Sequence, residues 1–434
     1  MFDEIVFIKS ATGNWETGMR VAIHTLGTRG DIQPYLALAL GLIARGHVVQ
    51  LTAPVQFKAM VCERGVAFAP LPGEFLDLLD KPEGKAAIAG GRGFSGGFKL
   101  LKHIRPLMRR FLDEEWSSTK DFSPDVIIYH PKALGAPHIA EKLGCAFMLA
   151  SPLPGFTPTS AFPTPLLSFA SLGPLNRISH DLTINGAGFL FGGLLREWRK
   201  TTLGLPPRSA GKTASSGTLY AYSPYVVPVP CDWGSDVLVS GYWFLDHDDW
   251  HPPKDLTAFL NTGEPPVYIG FGSMPGIDPV NTAATAIGAL AKTGKRGVLA
   301  TGGGAMAPQN VPPNIHVIHE APHDKLFPHV AATVHHGGAG TTAASFRAGK
   351  PMTICPFLGD QPFWGRRVAD LGVGPRPLDR KRLSVETLAA AIADMDRPQM
   401  RERAATLGAA IRGEQGVTAA IDFIEARVGT KQRV

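Results

Sequence analysis

Short apolar runs alternate with amphipathic stretches along most of the chain. Val21-Ala22-Ile23-His24 has the run of apolar residues expected of a buried strand, and it opens into Leu26-Gly27-Thr28-Arg29-Gly30-Asp31. Residues 34–42 follow with helical spacing and a proline in the first turn, Arg45-Gly46 ends that helix, and residues 47–52 form the next strand. Strand, helix and strand in this order predict a parallel sheet. Val126-Ile127-Ile128-Tyr129, a helix within 133–143 and the strand 146–150 extend it. The first half therefore reads as doubly wound α/β.

Between 151 and 207 the pattern changes. Pro, Phe, Leu and Gly accumulate, among them Phe156, Phe162 and Phe169, and helical periodicity is poor, so long loops are expected. A polar, proline-rich run at 246–266 marks a linker. After it the strand-loop-helix order restarts: a strand at 267–271, the loop Gly272-Ser273-Met274, a helix at 282–292, then strands at 297–300, 315–318 and 333–335. From 385 onward the pattern is mostly helical and ends in a basic tail. The expected division is an extension at 1–19, a first domain at 20–240, a linker at 241–266, a second domain at 267–410, and a C-terminal helix and tail at 411–434. Residues 1–18 read either as an upstream extension or as an ordinary flexible terminus.

Length supports two cores rather than one, since a single core stops growing near 250–300 residues and the chain has 434. The net charge of +6, from 43 basic and 37 acidic residues, is too small and dispersed for nucleic acid, though it suits an anionic ligand or membrane surface. Four separated cysteines, Cys62, Cys145, Cys231 and Cys355, form no metal-spaced pair and are expected as buried free thiols. No signal-peptide pattern is seen, nor any run approaching the roughly 18 apolar residues that span a bilayer. A cytoplasmic protein, at most peripheral at a membrane, is expected.

Two doubly wound sheets in tandem place ligands at the carboxyl ends of their strands, so facing loops would enclose a cleft. In the second half the strand ending at Val334 opens into His335-His336-Gly337-Gly338-Ala339-Gly340-Thr341-Thr342 and then a helix at 343–348. Glycines admit a phosphate close to the backbone, and the helix start favours its charge. Any tight strand-to-helix turn also wants glycine, so the loop gains meaning only with its neighbours. Gly272-Ser273 supplies a second small-residue loop, and Cys355-Pro356-Phe357-Leu358-Gly359-Asp360-Gln361 supplies polar groups suited to sugar hydroxyls.

These segments resemble family 1 and family 28 glycosyltransferases. Residues 321–361 are similar to the donor-binding signature, and 335–364 together with 241–246 are especially similar to sterol 3β-glucosyltransferases. Gly27-Thr28-Arg29-Gly30-Asp31-Ile32-Gln33-Pro34 resembles the same group and the antibiotic glycosyltransferases. The resemblance covers about 20–413 and implies a GT-B fold, two Rossmann-like domains facing across a cleft. It implies an inverting transfer of a hexose, with UDP-glucose as donor, to a hydroxyl of a hydrophobic acceptor such as a sterol. Rhamnosyl or other transfer to a lipid, macrolide or polyketide is the alternative within the class.

The resemblance also implies roles. His336, Gly338, Gly340 and Thr341 would hold the diphosphate, with Ser273 opposite. His323 falls where the nucleobase is held, although Glu320 stands where plant relatives place a stacking tryptophan. Asp360 and Gln361 would bind the hexose. Asp31 occupies the slot of the plant catalytic histidine and is the candidate general base; it is equally a natural helix cap, and the short loop aimed at the cleft favours the base. His24 reads as a core histidine. His130 is a candidate to orient the acceptor, and Phe156, Phe162 and Phe169 to line its pocket or to pack in the domain's own core.

No metal and no cofactor beyond the nucleotide sugar is expected, because no Asp-x-Asp lies in a loop facing the diphosphate. The mixed basic and apolar segment 98–116 either docks on an anionic membrane or is a solvated helix face. A nucleotide-sugar 2-epimerase lacks a counterpart for the apolar 151–207 stretch. A non-catalytic sugar-nucleotide binding subunit has no use for Asp31.

Overall fold

The computed structural model describes residues 18–74, 93–207, 215–272, 274 and 278–431, with backbone alone at 93–104, 187 and 430–431. The first half contains β1 (Arg20–His24), α1 (Arg29–Ala44), β2 (Val48–Pro54), α2 (Lys58–Cys62), β3 (Ala67–Leu71), α3 (Gly93–Phe122), β4 (Val126–Tyr129), α4 (Ala136–Leu143), β5 (Ala146–Ser151), α5 (Asn176–Thr201), β6 (Thr218–Tyr220) and β7 (Val237–Val239). The second contains α6 (Lys254–Leu260), β8 (Val267–Gly270), α7 (Pro279–Thr293), β9 (Gly297–Ala300), β10 (Ile315–Ile318), α8 (His323–Leu326), β11 (Ala332–His335), α9 (Ala339–Arg347), β12 (Met352–Ile354), α10 (Gln361–Asp370), α11 (Val385–Met395), α12 (Pro398–Arg412) and α13 (Gly416–Lys431).

Both sheets are parallel throughout. The first runs β3-β2-β1-β4-β5-β6-β7 and the second β10-β9-β8-β11-β12. Central strands covered by helices on both faces must be apolar along their whole length, and Val21, Ala22 and Ile23 are fully buried. The strand order reverses between β1 and β4 in one sheet and between β8 and β11 in the other. The loops after those four strands diverge and leave a crevice at each reversal.

Three readings from the pattern change. Residues 176–201 form the 26-residue helix α5 rather than loop. Gly186, Gly188, Gly192 and Gly193 and an apolar face turned to solvent hide its periodicity. Tertiary contacts fix its C-terminal end, where buried Trp198 donates to Asp113 Oδ1 at 2.9 Å and Arg199 forks onto Glu141 at 2.8 and 3.0 Å. Within the polar run at 246–266, α6 packs Phe259 and Leu260 against the second sheet. The four cysteines are free as expected, but only Cys355 is buried, while Cys62 and Cys231 are exposed at a helix end and in a loop.

The C-terminal helix crosses back to the first domain. Ala420, Ile421, Ile424 and Val428 of α13 are buried in the same core as β1, β2 and α1. Gly41 of α1 allows this, since a Cβ there would come within 2.4 Å of Val417 Cγ1. At the edge of the seam His47 meets Glu425 at 2.9 Å and accepts from the Met19 amide at 3.1 Å, while Arg45 pairs with Asp422 at 2.7 Å. Met19 is fully buried in that core too. Ile424→Ala is expected to cost about 2–5 kcal/mol and to lower the stability of the first domain although the residue lies at the far end of the chain; urea unfolding followed by tryptophan fluorescence measures it.

Candidate active site

The loop after β1 is built around Asp31. Gly27 has φ +139°, and a Cβ there would lie 2.1 Å from Asp31 Oδ2, so this position accepts only glycine. The Thr28 amide and hydroxyl donate to Asp31 Oδ2 at 2.8 and 3.2 Å, which completes a capping box at the start of α1. Thr25 Oγ1 donates to the Asp31 carbonyl at 2.6 Å. Helix capping and a position in the cleft are thus combined in one residue.

From the loop after β4, Lys132 Nζ donates to Asp31 Oδ1 at 2.9 Å, and His130 Nε2 lies 3.3 Å from the same oxygen. The Lys132 amide donates to His130 Nδ1 at 3.1 Å, so the neutral ring carries its proton on Nε2 and gives it to Asp31. Burial alone would raise the Asp31 carboxyl, but the Lys132 charge and the His130 hydrogen bond outweigh it and hold the group well below the ordinary carboxylate range. Asp31 is therefore a firmly ionised acceptor whose oxygens are all engaged. Sequence reasoning marked His130 but passed over Lys132; its place three residues past the end of a strand beside the sheet reversal was the available signal.

On the opposite side, β11 ends in His335 and α9 begins four residues earlier than the pattern suggested, with Gly338 as its cap. His335 is fully buried, accepts from the Gly337 amide at 3.1 Å and faces Ser345 at 3.4 Å, which makes it a structural residue of the turn. Gly337 has φ +92°, and a Cβ there would strike Ile354 at 2.5 Å. The ring of His336 lies over the Gly272 and Gly338 backbones, and its buried Nδ1 has no partner among the described residues. A buried polar atom left unpaired is costly and points to a ligand. The amides of Gly338, Ala339, Gly340 and Thr341 face no protein acceptor among the described residues, as at any helix start. Ser273 lies outside the described residues.

Asp360 caps α10 and accepts from Trp364 Nε1 at 2.6 Å. Burial raises its carboxyl; Trp364 opposes this, and across the cleft Asp31 adds to the rise while Lys132 opposes it. The two acidic side chains thus share one electrostatic environment. Gln361 is buried, and its Oε1 accepts from the Phe357 and Leu358 amides at 2.7 and 3.1 Å, so only its amide nitrogen, 3.4 Å from Met274 Sδ, is left for a ligand. His323 stacks on Phe327 with centroids 4.4 Å apart, and Arg29 meets Glu320 across the cleft at 3.5 Å. The cleft thus gathers Asp31, His130 and Lys132 from one domain and His323, His336, Asp360 and Gln361 from the other.

The proposed acceptor aromatics are dispersed. Phe162 packs on Phe363 and His180, 6.0 and 5.9 Å between centroids, Phe156 donates its amide to the Tyr220 hydroxyl at 3.2 Å, and Phe169 is exposed with its carbonyl held by Arg366. None of the three lines the apolar recess beside Asp31, which is formed by Leu26, Leu71, Met108, Phe111, Ala133 and Leu134, with Lys132 and Glu115. That lining comes from α3, the end of β3 and the loops after β1 and β4. Met108 and Phe111 are buried there, so part of the apolar content of 98–116 faces inward rather than toward a membrane. Side chains of 98–104 lie outside the described residues.

Burial first, and neighbouring positive charge second, hold His323 at about 4; burial holds His336 at about 4 and pushes His335 well below its usual value. His138 is also held at about 4, by burial and by Arg199. The unfolded chain takes up these protons near pH 6.5 and the folded one does not, so stability is full above about pH 6.5 and falls as the pH drops toward 4. Asp31, whose folded value is also depressed, acts in the same direction at lower pH: its contribution is present above the ordinary carboxylate value and is lost as the pH falls below it. The urea midpoint is expected to fall steadily between pH 7 and pH 4.5, with a shallower fall in His336→Asn.

Known proteins place this site in a family. The profile of the glycosyltransferase family 28 N-terminal domain matches residues 21–163, and that of the erythromycin biosynthesis protein CIII-like C-terminal domain matches 298–415. The sterol 3-beta-glucosyltransferase UGT80B1 of Arabidopsis thaliana is 37% identical over 433 residues, covering 96% of this chain and 70% of its own. A sterol 3-beta-glucosyltransferase of Neosartorya fischeri is 37% identical over 428 residues, 94% of this chain but 29% of its own. Among solved structures, the calicheamicin glycosyltransferase CalG4 superposes with a TM-score of 0.72 at 20% identity over 95% of this chain and 98% of its own. SsfS6 of Streptomyces sp. SF2575, complexed with thymidine diphosphate, gives 0.60 at 20% identity over 94% and 99%. With its two facing parallel α/β domains, the chain is a GT-B glycosyltransferase and belongs to the family of the sterol 3-beta-glucosyltransferases.

Proposed function

We propose that this enzyme moves glucose from UDP-glucose to a hydroxyl of a sterol or similarly apolar alcohol, with inversion at the anomeric carbon. The observation that carries it is the meeting of Asp31 and His336 across one cleft, each on the loop at its sheet's reversal point, beside an apolar recess. Sterol glucosyltransferases as relatives over nearly the whole chain support the sugar and the acceptor class.

The diphosphate sits at the start of α9. The free amides from Gly338 to Thr341 and the helix dipole meet its charge, and His336 supplies a directed donor. His323 is assigned the base and Asp360 with the Gln361 amide the sugar hydroxyls. Acceptor oxygen attacks the anomeric carbon, its proton passes to Asp31 Oδ1, and the bond to the diphosphate oxygen breaks so that UDP leaves with the electron pair. For this the acceptor hydroxyl displaces Lys132 or His130 from Oδ1, while Thr28 keeps Oδ2 in place. The charge is met by amides and His336, without a metal.

The decisive assay incubates UDP-glucose and dTDP-sugars with sterol, macrolide and flavonoid acceptors in EDTA and identifies products by mass. Glucosylated sterol is expected from UDP-glucose. Asp31→Asn is expected to lower turnover by about 10²–10⁴-fold with nucleotide affinity kept within a few-fold; unchanged turnover removes Asp31 as the base.

A membrane is the proposed source of such an acceptor, and α5 is the contact. Among the described residues no helix is long and apolar enough to cross a membrane. Leu175, Ile178, Leu182 and Phe189 follow one face of α5 and its approach with 56, 51, 70 and 91% exposure, and Leu166 and Phe169 of the preceding segment are exposed as well. Arg177, Arg196 and Lys200 lie exposed on the same helix. Such a stripe flanked by positive charge suits an anionic interface. The protein is expected to co-sediment with anionic vesicles at low salt, and Phe189→Ser with Leu182→Ser to release it.

A further inference from the structure

Beneath the catalytic loop lies a polar cluster that the reaction above does not use. His24, at the end of β1, is fully buried; its Nδ1 meets Glu115 Oε1 at 2.9 Å and its Nε2 meets Thr119 Oγ1 at 3.0 Å. The Thr119 hydroxyl donates to the Glu115 carbonyl at 2.6 Å, so toward His24 it accepts, and Nε2 carries a proton. One further proton lies between Nδ1 and Oε1. Whether it sits on the imidazole or on the carboxyl, Glu115 Oε2 has none and is an acceptor.

Glu115 is 3% exposed, and its Oε2 has no partner among the described residues. The side chain lines the apolar recess together with Leu26, Met108, Phe111 and Leu134, and Lys132, which bonds Asp31, lines the same recess. The recess has room for about one water-sized group, so an acceptor whose reacting hydroxyl lies at Asp31 can place there a small polar substituent rather than its ring system, facing Glu115. An unpaired carboxylate oxygen in apolar surroundings discriminates strongly, because a ligand without a donor leaves it desolvated.

We propose that Glu115 is a specificity-determining residue that accepts a hydrogen bond from a second hydroxyl of the acceptor, so that the preferred substrates are apolar polycyclic alcohols carrying at least two hydroxyls rather than simple monohydroxy sterols. This rests on the glycosyltransfer to sterol-like alcohols proposed above and narrows it.

The test compares kcat/KM for cholesterol with that for steroids bearing a second hydroxyl on the B ring, the D ring or the side chain, within each protein, so that differences in folded fraction cancel. Wild type is expected to favour at least one of the dihydroxy steroids by on the order of tenfold or more. Glu115→Gln, whose amide can serve His24 while its carbonyl faces the recess, is expected to keep most of that preference; Glu115→Leu is expected to lose it.

Gly135→Ala provides a second variant that keeps both residues and instead presses on the Glu115 carboxylate. Gly135 has φ −74°, which alanine adopts freely, and the new Cβ would stand 2.5 Å from Oε2 where the hydroxyl would bind. It is expected to lower the preference while transfer to cholesterol persists. Wild type that glucosylates cholesterol and prefers no second hydroxyl overturns the proposal and leaves the function standing, as does a preference that survives both Glu115→Leu and Gly135→Ala. If no steroid is glucosylated the function itself fails. Equilibrium dialysis of the same steroids then decides on Glu115: tighter binding of a dihydroxy steroid that Glu115→Leu removes supports it, and equal binding overturns it.

Discussion

The reversal of strand order at β1/β4 and β8/β11 is the constraint on which the site depends. In a parallel sheet every connection returns over one face or the other, and where the direction of winding changes, adjacent loops turn away from each other. One reversal in each sheet leaves two crevices. The GT-B arrangement sets them opposite one another, so that residues more than 300 positions apart in the chain, Asp31 and His336, serve one cleft. Helix capping then determines what each crevice presents: a carboxylate at the start of α1, and bare amides with a histidine at the start of α9.

Within that frame the two halves are charged in complementary ways. The first domain's side holds an anion whose acceptor sites are filled, with two oxygens receiving from Thr28, Lys132 and His130. The donor side holds unsatisfied donors and histidines kept neutral by burial. In the proposed reaction a diphosphate supplies the charge that the second side lacks, and an incoming hydroxyl replaces one donor on the first. The helix α13 contributes by tying the end of the chain back to the core beneath β1, next to the loop that carries Asp31, so the first domain is closed by residues that follow the second.

The local elements were legible because each carried a complete signal in a few residues. Strands buried on both faces read as apolar runs, glycines with positive φ marked the turns at Gly27 and Gly337, and the threonine and aspartate at the start of α1 announced a cap. The same short-range logic singled out Asp31, His130, His336 and Asp360-Gln361, which the fold brings to one cleft, and supported two parallel domains. It failed for α5, because helical periodicity presumes one face turned to a core, and the exposed face of this helix carries leucine, isoleucine and phenylalanine.

What the sequence determined by itself is the set of loops, their residue types and their family: local conformation and motif chemistry are encoded over spans of about ten residues. What only the tertiary structure decided is which groups pair. Lys132 on Asp31, Glu115 on His24, Arg29 across to Glu320 and the apolar recess formed by α3 rather than by the Phe-rich stretch all join segments tens to hundreds of residues apart. Such pairings depend on sheet order and helix docking, which bring side chains within 3–4 Å without leaving any periodicity in the chain.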